Sequence, residues 1–196
     1  MRTKNNRANK KIMFTMVLLV CTVLGSVHGA TYTCPSYDAI RSPSVASFDP
    51  LKYQGTWYMV ATNEPTMPKS FCKCGTLNWT VTSNTTFSDH FMAKCGPIYL
   101  NIPLVGSLSA NVSAPGFLHE GVSKTLTVPN MVFNITGDYE VACVYSCVWG
   151  GTFSYQLLAR DPFLEPQSIR AYLDAANAMG VLDMQNMAVY NFTGCF

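Results

Sequence analysis

Thr76-Leu77-Asn78-Trp79-Thr80-Val81-Thr82-Ser83-Asn84-Thr85-Thr86-Phe87-Ser88-Asp89-His90-Phe91-Met92-Ala93-Lys94 is the stretch from which the fold can be read. Its two halves, Thr76–Ser83 and Thr86–Lys94, are rich in β-branched and aromatic residues, and the polar loop Ser83-Asn84-Thr85 joins them. That is the pattern of two antiparallel strands in a hairpin. Asn78-Trp79-Thr80 is also an N-glycosylation sequon. A glycan can only point to solvent, and side chains alternate along a strand. With Asn78 and Thr80 outside, Leu77, Trp79 and Val81 face inward.

Similar runs continue in both directions: Thr56–Thr62, Ile98–Leu108, Thr125–Val128, Met131–Thr136, Tyr139–Val148 and Thr152–Arg160. Gly, Pro or Asn breaks separate them, and Trp149-Gly150-Gly151 reads as a second hairpin loop. Serial hairpins of this kind build an up-and-down barrel or a sandwich. The stretch 109–124 shows no decisive pattern. Residues 30–54, with Pro35, Pro43 and Pro50, read as an extended entry segment. One helix is expected late in the chain. Pro166 suits its first position, Ile169, Tyr172, Leu173, Ala176 and Met179 form an apolar stripe, and Gly180 suits the left-handed stop. The stripe is expected to cover the outside of the sheet.

The amino terminus carries a different signal. Arg2, Lys4, Arg7, Lys10 and Lys11 precede a 13-residue apolar run, Ile12–Leu24, and Val27 and Gly29 prepare a cut before Ala30. A helix of that length spans roughly 20 Å, short of the roughly 30 Å hydrocarbon core. Residues 1–29 therefore read as a secretory signal peptide, and 30–196 as one secreted domain. Removing the leader takes five of the 13 basic residues and leaves 8 against 11 acidic ones, a net charge of −3. A weakly acidic chain without basic clusters does not suit nucleic acid. Asn78, Asn84, Asn111, Asn134 and Asn191 all stand in sequons, so sugar is expected to supply solubility. Seven cysteines remain after the leader, Cys34, Cys72, Cys74, Cys95, Cys143, Cys147 and Cys195, and read as disulfides. Their odd number leaves one thiol free or bonded between molecules. No metal site is expected, since Cys72-Lys73-Cys74 lacks zinc spacing and the domain holds only His90 and His119.

Three patches resemble the lipocalin family, within it the apolipoprotein D-like branch. Phe48-Asp49-Pro50-Leu51-Lys52-Tyr53-Gln54-Gly55-Thr56-Trp57-Tyr58 is similar to the family's entry motif with its Gly-x-Trp signature. Asp138-Tyr139, followed by Val144-Tyr145-Ser146-Cys147, is similar to the branch's second motif, with Gly137 where Thr is usual and a spacing one residue shorter. Leu157-Leu158-Ala159-Arg160-Asp161-Pro162, then Leu164-Glu165-Pro166, is similar to its third. The resemblance implies an eight-stranded antiparallel up-and-down β-barrel with an α-helix packed outside. It implies that Gly55 lets the entering turn approach the barrel floor, that Trp57 plugs the floor, and that Arg160 lays its guanidinium on the indole. It implies the disulfides Cys34–Cys147 and Cys74–Cys195. Cys72 and Cys95 flank the hairpin and can pair, leaving Cys143 free, although Cys74 and Cys95 can also face each other there.

The function expected from this resemblance is carriage of a small hydrophobic ligand, a lipid, retinoid, carotenoid or tetrapyrrole-like pigment, inside the barrel. Trp79, Leu77, Gln156 and Leu158 are the expected lining, with Met59 and Ala61 behind them by parity with Trp57. Lipid or pigment would be cargo, and no cofactor is called for. Docking on a membrane or receptor fits such a carrier. The competing class is a lipocalin-fold isomerase or de-epoxidase. Its interior thiol would have to be Cys143, and Asp138 and Glu140 would be rim acids.

Overall fold

The computed structural model describes residues 34–63, 71–147, 153–182 and 184–196. The expected signal peptide, its cleavage near Gly29 and the loop around Trp149 lie outside them.

Eight antiparallel strands close on themselves: β1 (Gly55–Thr62), β2 (Cys72–Ser83), β3 (Thr86–Cys95), β4 (Ile98–Ser107), β5 (Phe117–Ser123), β6 (Leu126–Ile135), β7 (Val141–Cys147) and β8 (Phe153–Ala159). Each pairs with the next, β8 pairs with β1, and β1 pairs with β2 to complete the barrel. β1 divides its pairing along its length. Gly55–Tyr58 bond to β2, whereas Ala61 and Thr62 bond to a short final strand, β9 (Ala188–Val189).

The entry segment is not extended. It forms a helical turn α1 (Tyr37–Ile40), a 3₁₀ turn (Pro43–Ser47) and a second turn α2 (Pro50–Tyr53). Pro43 and Pro50 start two of these, where a missing N–H costs nothing, and the Asp49 carboxylate caps the last by accepting from the Leu51 N–H. Pro43 and Pro50, which suggested extension, are helix starters.

Two other readings need correction. β5 lies within the stretch 109–124 that had no decisive pattern. The runs Thr125–Val128 and Met131–Thr136 are one strand, β6, continuous through Pro129. Proline is tolerated there because Pro129 pairs only with His119 of β5, and pairing to β7 begins at Asn130. The seventh strand starts at Val141, not Tyr139, because Tyr139 takes a left-handed conformation (φ 62°) in the turn that precedes the strand.

The helix α3 runs Pro166–Ala178. Ile169, Leu173 and Ala176 are buried, Tyr172 is half-buried, and Met179 caps the helix before Gly180 at φ +69°. Three disulfides staple the barrel: Cys34–Cys147, Cys72–Cys95 and Cys74–Cys195. The first and last close loops of 113 and 121 residues. On a chain-entropy account, loops of that length are each worth about 4–5 kcal/mol.

Candidate functional site

The barrel floor is built from three separated parts of the chain. Tyr53 ends α2, and its carbonyl accepts from the Trp57 Nε1–H at 2.8 Å, fixing an indole that is fully buried. Gly55 stands between them at φ +104°, and a Cβ there would sit 3.1 Å from Arg160 Nη1. A side chain at 55 would thus be strained by the backbone and would also press on the guanidinium. Arg160 lies over the Trp57 ring at 3.8 Å and donates to the carbonyls of Thr56 (2.7 Å), Gln54 (2.7 Å) and Tyr53 (3.1 Å). From the other side, the Tyr139 hydroxyl accepts from the Asp49 N–H at 2.7 Å. Asp138 accepts from the Glu140 N–H and so shapes that turn. The expected rim acids Asp138 and Glu140 are exposed turn residues at the closed end.

Above the floor, alternation turns Leu77 and Trp79 inward from β2 and Gln156 and Leu158 inward from β8. Tyr53 and Trp57 contribute the bottom, and Val132 and Val144 the far wall. A bulge between Met59 and Ala61 changes the facing of β1. Met59 lies across from Leu158, but Ala61 lies across from Leu157 on the opposite face, so the expectation that Ala61 shares the inward parity of Trp57 does not hold. Met59 is buried but does not line the cavity.

Three interior polar groups went unnoticed in the sequence: Asp89 on β3, Glu120 on β5 and Asn130 on β6. The alternation argument applied to Trp79 would have found Asp89, two residues from the inward Phe87. Asp89 is fully buried and Glu120 is 8% exposed. The Asn130 Nδ2–H donates to Glu120 Oε2 at 2.6 Å, while Asp89 Oδ1, Asp89 Oδ2 and Glu120 Oε1 make no well-formed hydrogen bond; each other's carboxyl and the backbone N–H groups of Asn78 and His90 are the groups near them. Burial pushes both carboxyls up, Glu120 to about 8 and Asp89 to about 6. For Glu120, the neighbouring Asp89 charge adds to the effect.

This interior is nearly full. Its free space is about 10 Å³, roughly one water. The Trp79 and Phe87 rings, from the adjacent strands β2 and β3, stack along one wall at 4.4 Å. Phe87 has room because residue 106 is glycine: a Cβ there would overlap the Phe87 ring and come within 2.5 Å of the His119 carbonyl. A larger groove of about 540 Å³ lies outside the barrel, between α3 and the carboxy-terminal segment. Ile169, Leu173, Met187 and Phe192 line it, with the sequon residue Asn191 at its edge.

Cys143 is the free cysteine among the described residues, and it is buried. Its strand neighbour Val144 lines the interior, so Cys143 faces the other way, toward the outer layer. There the Tyr155 hydroxyl donates to its sulfur at 3.4 Å, and burial pushes the thiol up to about 11. The interior thiol that the enzyme reading needed is not inside. Of the sequon residues, Asn78, Asn84, Asn111 and Asn191 are exposed. Asn134 is half-buried, its Oδ1 accepting from Ser42 and Ser44.

No protein-family model matches this chain, and no curated protein is significantly similar in sequence. Solved structures are similar in shape. Lobster apocrustacyanin A1 aligns over 82% of this chain and 88% of its own, at TM-score 0.60 and 18% identity. Insecticyanin from the tobacco hornworm Manduca sexta aligns over 85% and 89%, at TM-score 0.64 and 14% identity. The siderocalin Ex-FABP aligns over 71% and 93%, at TM-score 0.56 and 14% identity. Identities this low speak for architecture alone, and the architecture, a closed eight-stranded antiparallel barrel with its helix outside, is the lipocalin fold.

Proposed function

We propose that this chain is a secreted, glycosylated member of the lipocalin family, of the apolipoprotein D-like branch, that carries a small hydrophobic molecule inside the barrel. The observation that carries this reading is the interior itself. A floor sealed by Trp57 and Arg160 supports a chamber walled by Trp79, Leu77, Leu158 and Val144, into which a few polar groups converge. Apolar walls with few, placed polar groups are the usual composition of small-molecule sites. The signal-peptide pattern, the sequons and three disulfides support an oxidising, extracellular destination. The orientation and high pKa of Cys143 argue against thiol catalysis.

The empty chamber holds roughly one water, whereas ligand pockets are typically about 300 Å³ or more. Loading therefore requires lining side chains, Trp79 among them, to move apart. Titration of a fatty acid, a retinoid and a bilin should then change tryptophan fluorescence, and Trp79→Phe should remove much of the change. Trp79→Ala should weaken binding by about 1–3 kcal/mol, and Leu158→Glu by more, since it buries an unpaired carboxylate. If both variants bind the panel as tightly as the parent, the cargo is not in the barrel.

A further inference from the structure

We propose that the cargo carries a positive charge: the barrel is built for the ammonium head of an amphiphilic amine, held between the carboxyls of Asp89 and Glu120 under the rings of Trp79 and Tyr53. This rests on the reading of the interior as the cargo site.

The argument begins with what those two acids lack. Asn130 reaches Glu120, but Asp89 has only the Glu120 carboxyl and the backbone N–H groups of Asn78 and His90 near it, and none of these makes a well-formed hydrogen bond. Among the described residues the ion pairs are Arg41–Asp38 and Arg170–Asp174, both at the surface. Among the described residues no Lys or Arg pairs with the interior acids. Burying acids in this way opposes folding, and a fold retains such a cost where the groups serve a site. The two side chains lie within hydrogen-bonding reach of each other. In the empty barrel Glu120 keeps its proton at neutral pH and Asp89 is left with a buried negative charge. An ammonium group brings a positive charge that neither carboxyl finds from the protein, together with three donors for their oxygens.

The surroundings favour an organic cation over a metal ion. No cluster of three metal-ligating side chains occurs among the described residues. The acids instead share their cavity with Tyr53, Trp57 and Trp79, and the Tyr53 ring meets Trp57 at 4.8 Å and Trp79 edge-on at 5.1 Å. Aromatic faces attract ammonium groups most strongly where water is excluded. The other groups that face the pair are neutral or distant in charge: Tyr53 from α2, its hydroxyl pushed upward by burial, Asn130 from β6, Gln156 from β8, and His90, which follows Asp89 on β3 but is exposed. Once the chamber opens, its apolar walls Leu77, Leu118, Val132, Val144 and Leu158 suit an alkyl or aryl tail.

The test titrates the folded, disulfide-bonded protein with octylamine, octanol and octanoate at pH 7, read by calorimetry and tryptophan fluorescence. Octylamine should bind at least about tenfold more tightly than octanol, with octanoate weakest. Asp89→Asn combined with Glu120→Gln should bring octylamine binding to within about threefold of octanol binding, with circular dichroism and the melting transition showing that the variant is folded. Equal binding of amine and alcohol by the parent would overturn the charge assignment and leave the carrier reading standing. An amine preference that survives in the double variant would place the cation elsewhere and overturn it too. If none of the three binds, the charge assignment falls, and the neutral panel of fatty acid, retinoid and bilin decides the carrier reading separately.

Discussion

Arg160→Ala tests the floor most directly. The guanidinium makes three short hydrogen bonds, to Thr56, Gln54 and Tyr53, and two long ones, to Lys52 (3.3 Å) and Tyr139 (3.4 Å). It also covers Trp57 at 3.8 Å. Bonds from a charged donor are worth about 1.5–3 kcal/mol when buried. Arg160 is half-buried, and its carbonyl partners would regain water on truncation, so about 1 kcal/mol for each short bond is appropriate. The stacked indole adds about 1 kcal/mol. Truncation should thus cost about 2–4 kcal/mol overall. In a domain of this size that lowers the melting temperature by about 5–15 °C. Arg160→Lys keeps the charge over the ring but lacks the planar fork, so it should recover less than half of the loss. Urea and thermal unfolding of the non-reduced protein, compared at equal m-value, provide the assay. A midpoint shift below about 2 °C for Arg160→Ala would mean that the floor does not depend on this contact.

The buried acids make stability depend on pH. Glu120 has its folded pKa raised from 4.5 to about 8 and Asp89 from 3.8 to about 6, so the folded chain holds protons that the unfolded chain has released. Their contribution is complete below about pH 4 and is lost as pH rises through 6 and 8, so melting temperature should fall between pH 5 and 9, and Glu120→Gln should flatten the fall; a rise over that window in the parent would contradict the assignment. Cys143 should resist a thiol reagent at pH 8 in the folded state, and one thiol should react after unfolding without reduction. Rapid labelling of native protein would show the thiol accessible. Gly106→Ala should destabilise by about 1–3 kcal/mol because the added methyl meets the Phe87 ring and the immovable His119 carbonyl. Phe87→Leu should relieve part of that loss in the double variant, as chemical denaturation would read.

Features that depend on neighbours along the chain were legible before the fold was seen. The inward facing of Leu77 and Trp79 follows from the pleat and the Asn78 sequon, and the α3 stripe from helical spacing. The stop at Gly180 follows from the one conformation that glycine adopts cheaply. The entry segment and β6 were misread because Pro43, Pro50 and Pro129 were taken as breaks. Whether a proline breaks an element depends on whether its missing N–H was needed, and that depends on the strand or turn beside it.

Sequence alone determined the alternation, the helix, the hairpin order and the residue types available for a sealed floor, because each is a local or short-period property. Tertiary structure decided what occupies the middle of the barrel. Asp89 and Glu120 are 31 positions apart on strands that are not neighbours, with β4 between them, and only closure of the sheet turns both carboxyls into one low-dielectric chamber. The bulge that turns Ala61 to the opposite face, the Phe87 ring over Gly106 and the outward aim of Cys143 are likewise consequences of register between strands. A one-residue slip in register exchanges the two faces of a strand, and no feature local to these residues specifies which way the slip has gone.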